Sequence, residues 1–314
     1  MIYKYIIIDA QNMYWRAVSA SLKKLLDKED DKVYSNSIRD FLDRINDLKN
    51  RFGNFESSVY LLFDNPLSVI NKRKTIDVEY KNTRDEKRVP KNFYKTLDSL
   101  QEILKVYKNN LYIVRYDGLE ADDLLYPVMQ EINQESTSDK KIVISADMDW
   151  GRCLDIDSNC EWFNYVDVYD KIKFKNHYGF NPAGKAIQMY KAIHGDNSDA
   201  IPNAVPGIRK EILNYIAENY SNVDELFSNM WNCNEIPKQW VQKIKESEKR
   251  IRINYRLVDF ITYEKLNNFI IECKENIEML RFWFKMHNLQ YENRMVDLKK
   301  DNFFEKAKYR RIKR

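Results

Sequence analysis

The sequence predicts an α/β fold: a mostly parallel central sheet with helices on both faces, followed by a smaller helical domain. Four near-continuous apolar runs of strand length lie in the first half of the 314-residue chain, and helical patterns separate them. Such runs are typical of strands covered on both faces, and their alternation with helices favours parallel strands with right-handed crossovers. After about residue 175 the strand pattern ends and helical spacing takes over, which predicts the second domain.

The predicted elements follow one another in a regular order. Strands are predicted at residues 5–8, 59–63, 111–114 and 141–146, with a further strand within 161–169. Helical spacing in the first half covers residues 12–26, 36–51, 91–107 and 120–134. Helical spacing in the second half covers residues 183–194, 208–220, 238–250 and 264–288. We therefore expect an α/β domain over residues 1–175, a helical domain over 176–298 and a basic tail over 299–314.

The composition indicates a water-soluble protein. Apolar residues make up 44% of the chain and charged residues 32%, which suffices for a core and a solvated surface. No apolar run approaches the length of a membrane span, so we expect no membrane contact and a cytoplasmic location, in the host cytoplasm if the protein is viral. The four cysteines and three histidines have neither C-x-x-C nor zinc-ligand spacing, which argues against disulfides and a zinc site. We also expect a monomer.

Acidic residues follow all four main predicted strands. Asp9 and Asp64 come directly after the first two strands, and a short turn separates the third strand from Glu120. Because the carboxyl ends of parallel strands meet at one edge of a sheet, these acids are expected to share one pocket. With a late pair from a G-D-x-S-D segment, the candidates are Asp9, Asp64, Glu120, Asp122, Asp123, Asp147, Asp149, Asp196 and Asp199. The alternative is that each acid is a separately solvated strand-end or helix-cap residue.

An acidic pocket of this composition predicts divalent cations. Carboxylates without histidine or cysteine are hard ligands, which select Mg²⁺, with Mn²⁺ as a substitute, over zinc. Nine acids exceed the needs of one ion but suit two ions about 4 Å apart, the arrangement that stabilises attacking and leaving oxygens in phosphodiester cleavage. Setting these nine negative charges aside from the net charge of +4 leaves +13 on the rest of the protein. A basic body around an acidic pocket fits a polyanionic partner.

A basic segment follows the second predicted strand. Residues 71–95 contain nine Lys/Arg against four acids, and Tyr80, Phe93 and Tyr94 lie among the basic residues. This mixture suits phosphates and stacked single-stranded bases. The alternative is an ordinary solvated face, which is the commoner meaning of such a run.

Taken in order, these segments resemble the motifs of the structure-specific 5′ nuclease family of flap endonucleases and 5′→3′ exonucleases. Gly118 to Asp123 matches the family's G-x-E-A-D-D, and residues 195–202 resemble its G-D-x-S-D-N-I-P. The other similar segments are I-D-A-Q-N at residues 8–12 with Arg16, Phe63-Asp64 with Arg73-Lys74 and residues 80–84, and S-A-D-M-D at residues 145–149. Chain length and residues 255–291 resemble the phage-type RNase H branch. The resemblance implies a PIN-like 5′ nuclease domain, a basic arch at residues 71–95 and a helical DNA-binding domain.

The resemblance also implies a role for individual residues. One metal ion would be held by Asp9, Asp64, Glu120 and Asp122. The second ion would be held or approached by Asp147, Asp149 and Asp199, with Asp123 and Asp196 in support. The residues expected to act in catalysis are Lys81, Arg84, Asp122 and Asp147. The residues expected to contact nucleic acid are Arg16, Arg73, Lys74, Tyr80, Lys81, Arg84, Gly207 and Lys210.

One segment departs from the family pattern. The family continues after its last acids with a helix-hairpin-helix motif, I-P-G-V-P-G-I-G, that presents backbone groups to duplex phosphates and to a monovalent ion. Here residues 201–209 carry one extra residue, lack the first glycine and end in Arg209. Because glycine allows close backbone approach, this change weakens the expectation of duplex binding by the hairpin and of a K⁺ site there.

We therefore expect a Mg²⁺-dependent 5′ nuclease that acts on 5′ flaps, nicks or RNA primers during DNA replication by a two-metal mechanism. Its substrates would be branched or nicked DNA and RNA–DNA hybrids; the preferences between flap and exonuclease cleavage and between RNA and DNA stay open. The alternatives are a single-strand ribonuclease of the same fold and an inactive DNA-junction binding protein. Phe303 and Phe304 in the basic tail are candidates for docking to a sliding clamp or a single-strand-binding protein, the alternative being a disordered tail.

Overall fold

The computed structural model describes residues 2–24, 31–65, 73–81, 90, 92–259, 266–287 and 289. Arg84, residues 71, 72, 82–89 and 91 of the predicted arch, and the tail with its two candidate docking residues lie outside the described residues. None of the helices in these ranges is both long and apolar enough to cross a membrane.

A seven-stranded sheet organises the described chain. Its strands are β1 (Tyr5–Asp9), β2 (Ser58–Leu62), β3 (Leu111–Val114), β4 (Lys141–Ile144), β5 (Cys160–Phe163), β6 (Val168–Tyr169) and β7 (Ile270–Glu272). Their order across the sheet is β6-β5-β4-β1-β2-β3-β7. The strands β1 to β5 pair in parallel, whereas β6 and β7 are antiparallel edge strands. The predicted mostly parallel sheet is confirmed.

Twelve α-helices are present in the described part of the chain. In the first half they are α1 (Ala10–Lys24), α2 (Asp31–Phe52), α3 (Phe93–Lys105), α4 (Leu125–Glu135), α5 (Cys153–Ile156) and α6 (Lys171–Tyr178). In the second half they are α7 (Ala186–His194), α8 (Lys210–Asn219), α9 (Val223–Asn229), α10 (Lys238–Glu246), α11 (Glu248–Leu257) and α12 (Ile277–Met286). Short 3₁₀ turns occur at Met148–Arg152, Asn197–Asp199 and Met230–Asn232.

Helices cover both faces of the sheet, as the fully apolar strands require. Successive residues of a strand point to opposite faces, so Ile6 and Ile8 of β1 belong to one hydrophobic cluster and Ile7 to another. The first cluster is completed by α1, α2, α3 and α12, and the second by α4, α5, α6 and the start of α7. Burial of both faces explains why the strand sequences lack alternating polar positions.

Two predicted elements differ in the structure. The strand predicted within residues 161–169 is the antiparallel pair β5 and β6, joined by a tight turn. The helix predicted over residues 264–288 is wrong in its first half, where β7 adds to the exposed edge of β3. The strand forms because the edge of β3 offers hydrogen-bond partners to its backbone. The spacing of apolar residues within the segment cannot reveal such partners. Only α12 of that stretch is helical.

A third hydrophobic cluster lies among the helices of the second half. Met189 and Ile193 of α7 pack there with Ile216 of α8, Leu226 of α9 and Ile244 of α10. A division of the chain into two domains near residue 175 stays a prediction, since β7 and α12 return to the sheet.

Candidate active site

The carboxyl ends of the four central parallel strands lie side by side. In the register of the sheet, Asp9 is opposite Leu62, Leu62 is opposite Val114, and Ile8 is opposite Ile144. The residues that follow each strand therefore emerge at one edge, as parallel pairing requires. The sequence placed seven acids at these positions.

Asp9 lies at the centre of that edge and is 7% exposed. The backbone N–H of Asn12 donates to its Oδ1 at 3.0 Å, and the Ser145 hydroxyl donates to its Oδ2 at 2.8 Å. Burial, followed by the charge of Asp64, raises the pKa of Asp9 to about 7. The two hydrogen bonds hold the carboxylate in place but do not offset the loss of water and the neighbouring charge.

The turn after β3 is tied to the end of β2. Gly118 adopts a φ of +85°, a conformation that favours glycine, and its N–H donates to the Asn65 carbonyl oxygen at 3.0 Å. The Ala121 N–H donates to Asp64 Oδ1 at 2.8 Å. The G-x-E-A-D-D segment and Asp64 are thus brought together by direct backbone contacts.

Two cations from the segment after β2 enter among these acids. Arg73 donates to Glu120 Oε2 at 2.8 Å and to Asp123 Oδ1 at 3.3 Å. The Lys81 ammonium pairs with Glu120 Oε1 and lies 3.8 Å from Asp199 Oδ1. Both side chains are only 6% exposed, so these are buried, charge-assisted contacts.

Asp122 lies between Glu120 and Asp123 in the sequence of this turn. Burial, followed by the charges of Asp123 and Glu120, raises its pKa well above the ordinary value, although Arg73 and Arg152 oppose the shift. Arg152 also donates to the Asp122 carbonyl oxygen at 2.8 Å. In this environment a further positive charge nearby would stabilise the ionised form of the Asp122 carboxyl group.

A second group of acids surrounds Lys191 of α7. Its ammonium lies 2.7 Å from Asp149 Oδ2, 2.7 Å from Asp196 Oδ2 and 3.4 Å from Asp147 Oδ1. Burial raises the pKa of Asp149 to about 6 despite Lys191. Burial also opposes ionisation of Asp196, but Lys191 and Ser198 hold its pKa below the ordinary value.

The loop that carries Asp196 and Asp199 depends on Gly195. Its φ is +82°, and a Cβ at this position would lie 2.6 Å from the Asn203 nitrogen and the Ile201 carbonyl oxygen. Two backbone hydrogen bonds of 2.8 Å join Asp196 and Ile201 across the loop. Only glycine fits this close backbone approach, which explains the first position of the G-D-x-S-D motif.

The structure brings all nine predicted acids to one region through these contacts. Three of the expected nucleic-acid contacts are buried in this structure: Arg73 is 5% exposed, Tyr80 is 2% exposed and Lys81 is 7% exposed. Arg73 is committed to Glu120 and Asp123, and Tyr80 packs with Ile201 and Leu257. Contact of these residues with a nucleic acid stays a prediction.

Four of the expected nucleic-acid residues lie at the surface. Lys74, Gly207 and Lys210 are exposed, and Arg16 is exposed with its guanidinium 4.6 Å from the Tyr165 ring centre. Residues 195–209 connect α7 to α8, which pack together. Duplex binding and a K⁺ site at this connection stay predictions.

Sequence reasoning missed three residues of the site: Ser145 as the donor to Asp9, Arg152 and Lys191. Ser145 belongs to the S-A-D-M-D segment, whereas Arg152 and Lys191 are two of 52 Lys/Arg residues with no distinctive spacing. The only available signal for Lys191 was its position one helical turn before the end of the helix that leads to Asp196.

The donor chemistry fits Mg²⁺ or Mn²⁺, since every candidate ligand is a carboxylate. In the described part of the chain, no three histidine, cysteine, aspartate or glutamate side chains are arranged to hold a metal ion as they stand. Arg73, Lys81 and Lys191 lie between the carboxylates instead.

The chain is similar to known nucleases. Residues 4–179, more than half of the chain, match the family model described as 5′-3′ exonuclease, N-terminal resolvase-like domain. No curated protein sequence matches the chain.

Three structures of a bacteriophage T5 protein resemble the fold. The T5 D15 protein co-crystallised with metal ions is 21% identical, with a TM-score of 0.60, and covers 82% of this chain and 89% of its own. A T5 5′-exonuclease with bound zinc ions is 22% identical with a TM-score of 0.59 and the same coverage of both chains. A T5 D15 flap endonuclease variant with DNA and metal ions is 21% identical, again with a TM-score of 0.59 and the same coverage.

Proposed function

Because the chain belongs to the 5′-3′ exonuclease family with a resolvase-like N-terminal domain, we propose that it is a Mg²⁺-dependent 5′ nuclease. Its reaction is hydrolysis of a phosphodiester bond at 5′ flaps, nicks or RNA primers during DNA replication. The observation that carries this proposal is the convergence of acids from four parallel strand ends, where burial and like charge raise the pKa of Asp9 to about 7. A divalent cation bound nearby stabilises the ionised form of carboxyl groups whose pKa is raised by burial and like charge.

The metal-holding residues are proposed as two groups. Asp9, Asp64, Glu120 and Asp122 hold one ion, and the second is held by Asp147, Asp149 and Asp199, with Asp123 and Asp196 in support. Mn²⁺ substitutes for Mg²⁺ because it accepts the same oxygen ligands. The bound ions supply positive charge that lowers the pKa of a water and neutralises charge on the phosphate.

The protein's own contacts keep these acids in position. Ser145 and the Asn12 N–H orient the Asp9 carboxylate, and the Ala121 N–H orients Asp64. Arg73 bridges Glu120 and Asp123, so the turn keeps its shape when the charge around it changes. Because these contacts hold the acids in place, less entropy is lost when the site reaches the geometry of the transition state.

Lys81 is proposed to neutralise the scissile phosphate. Its ammonium contacts Glu120 and Asp199, one from each proposed metal group, so it would lie close to a phosphate held by both groups. Its backbone is held at a φ of +57° and its N–H donates to the Asp199 carbonyl oxygen at 2.8 Å. A non-glycine residue held in this region is typical of functional sites. Arg84 is proposed for the same phosphate from further along the arch.

The proposed substrates are branched or nicked DNA and RNA–DNA hybrids. The structure of the T5 flap endonuclease variant with DNA and metal ions supports this substrate class for a protein of the same fold. The exposed Lys74 and Lys210 supply charge for backbone phosphates. Docking of the basic tail to a sliding clamp or a single-strand-binding protein is a further proposal that rests on its composition alone.

The decisive experiment compares end-labelled 5′-flap DNA, nicked duplex, RNA–DNA hybrid and linear single-stranded RNA with Mg²⁺, with Mn²⁺ and with chelator. We expect metal-dependent products from the flap or the hybrid and none in chelator. Product lengths distinguish flap cleavage from stepwise exonuclease action. Cleavage of linear RNA alone would replace the proposal with a single-strand ribonuclease, and binding without any product would replace it with a junction-binding protein.

A further inference from the structure

Lys191 occupies an unusual position in the acidic pocket. Its side chain is 8% exposed, and its ammonium contacts carboxylates from two separate segments, the strand-end turn with Asp147 and Asp149 and the loop with Asp196. It also stands on α7, whose last turn leads through Gly195 into that loop, and the Lys191 carbonyl oxygen accepts the Gly195 N–H at 2.8 Å. The backbone of Lys191 in α7 therefore holds the start of the loop, while its ammonium contacts the acid that the loop carries.

The charges around Lys191 do not balance. One ammonium faces three carboxylates, of which Asp149 and Asp196 are mostly buried and Asp147 is 42% exposed. Without the ammonium the two mostly buried acids would repel each other, because screening is weak where water is largely excluded. Lys191 thus stabilises the arrangement of acids while the protein is free of metal.

The same three acids belong to the group proposed for the second divalent ion. No preformed cage of three acids exists among the described residues, and Asp149 Oδ2 and Asp196 Oδ2 each lie 2.7 Å from the Lys191 ammonium. An ammonium and a divalent ion cannot both occupy the space between the same oxygens. Lysine has a four-carbon flexible stem, so its charge can leave while α7 stays in place.

We infer that Lys191 is a built-in cation that holds the second metal position in the metal-free protein and is displaced when the divalent ion binds. This inference rests on the proposed metal-dependent function. Its consequence is that the second ion binds more weakly than the carboxylates alone would allow, because each binding event must break three ion pairs. Lys191 then acts as a positioning residue that sets the metal concentration at which the pocket fills.

The first test is calorimetric titration of Mn²⁺ into the full chain without nucleic acid. In Lys191→Met, we expect the weaker of the two ions to bind roughly tenfold tighter or more, because the competing charged contacts are gone. Lys191→Arg keeps the charge and should stay close to the original affinity. The matched control is Lys185→Met, which removes an exposed lysine near the same helix whose partner is Asp259, outside the pocket.

The second test uses the unaltered protein, so that it does not depend on whether a variant folds. Lysine acetylation with a water-soluble reagent is followed by mass spectrometry in chelator and in Mg²⁺. We expect Lys191 to be protected in chelator and its labelling to increase severalfold in Mg²⁺, while Lys185 labels equally in both. A Lys191 that stays protected in Mg²⁺ overturns the inference.

The outcomes separate this inference from the proposed function. Two-ion binding that is equally strong in a folded Lys191→Met variant overturns only the displacement of Lys191. Absence of divalent-ion binding in every protein overturns the metal-dependent function as well.

Discussion

The backbone N–H of Lys81 donates to the backbone carbonyl oxygen of Asp199 at 2.8 Å. This bond joins the segment after β2 to the 3₁₀ turn after α7, and the Lys81 ammonium lies 3.8 Å from the Asp199 carboxylate as well. Tyr80 strengthens the junction, since its ring packs on Ile201 and its hydroxyl lies 3.4 Å from Asp199 Oδ2. The position of Lys81 among the acids is therefore set from two distant parts of the chain.

Replacement of Lys81 tests its proposed contact with the phosphate. In Lys81→Ala we expect cleavage of a 5′-flap substrate to slow by roughly 10²-fold or more, a typical loss when one transition-state charge contact is removed. Single-turnover rates in Mg²⁺ measure the effect. Lys105→Ala, which removes an exposed lysine of α3 that pairs with Glu102, is the matched control and should change the rate much less. Equal rates for both variants would argue against a specific role for Lys81.

Asp122→Asn separates metal-dependent chemistry from substrate binding. The variant keeps the size of the side chain but removes the carboxyl group of Asp122. The pKa of that carboxyl is raised by burial and by the charge of Asp123. We expect cleavage to fall below detection while flap DNA still binds, as measured by fluorescence anisotropy in Ca²⁺. Glu102→Gln, at an exposed pair with Lys105 on α3, should leave both properties unchanged. An active Asp122→Asn variant would remove this acid from the proposed metal group.

Gly195→Ala tests the backbone requirement of the loop that carries Asp196 and Asp199. A Cβ there would meet backbone atoms at 2.6 Å in a left-handed conformation, so we expect destabilisation of roughly 2 kcal/mol or more and a loss of activity. Urea denaturation measures the loss of stability. The control, Gly207→Ala, shares a positive φ but has open space around the position of the Cβ. It should cost about 1 kcal/mol, and an equal cost at both glycines would contradict the steric explanation.

The raised pKa of Asp9 predicts a pH-dependent stability in chelator. Burial and Asp64 bring this pKa to about 7 from an ordinary value of 3.8, so the folded protein binds a proton that the unfolded chain releases. The Asp9 contribution to stability is therefore greatest below about pH 4 and falls as the pH rises towards 7.

Asp9→Asn removes this titration. From pH 5 to pH 8 the stability of the variant should improve relative to the original protein, by a few kcal/mol at most, since one pKa unit corresponds to about 1.4 kcal/mol. Urea denaturation at several pH values measures the difference. Asp47→Asn, at an exposed position on α2, is the matched control, and a difference that does not change with pH for Asp9→Asn would contradict the raised pKa.

The sequence by itself determined the parallel strands and the acids at their ends. Both follow from local patterns combined with a general rule of topology: strands that are apolar on both faces are covered by helices, and their carboxyl ends meet at one edge. Gly118 and Gly195 were likewise visible in their motifs, because each meets a backbone requirement within a short segment.

Only the tertiary structure decided where the positive charges go. Arg73, Lys81 and Lys191 lie among the acids because Tyr80 packs against the loop after α7 and because α7 packs beside the strand-end turns. The antiparallel strand β7 is another such case, since it forms by pairing with an edge far away in the sequence. Contacts of this kind depend on which surfaces meet in three dimensions, and no local spacing of residues encodes them.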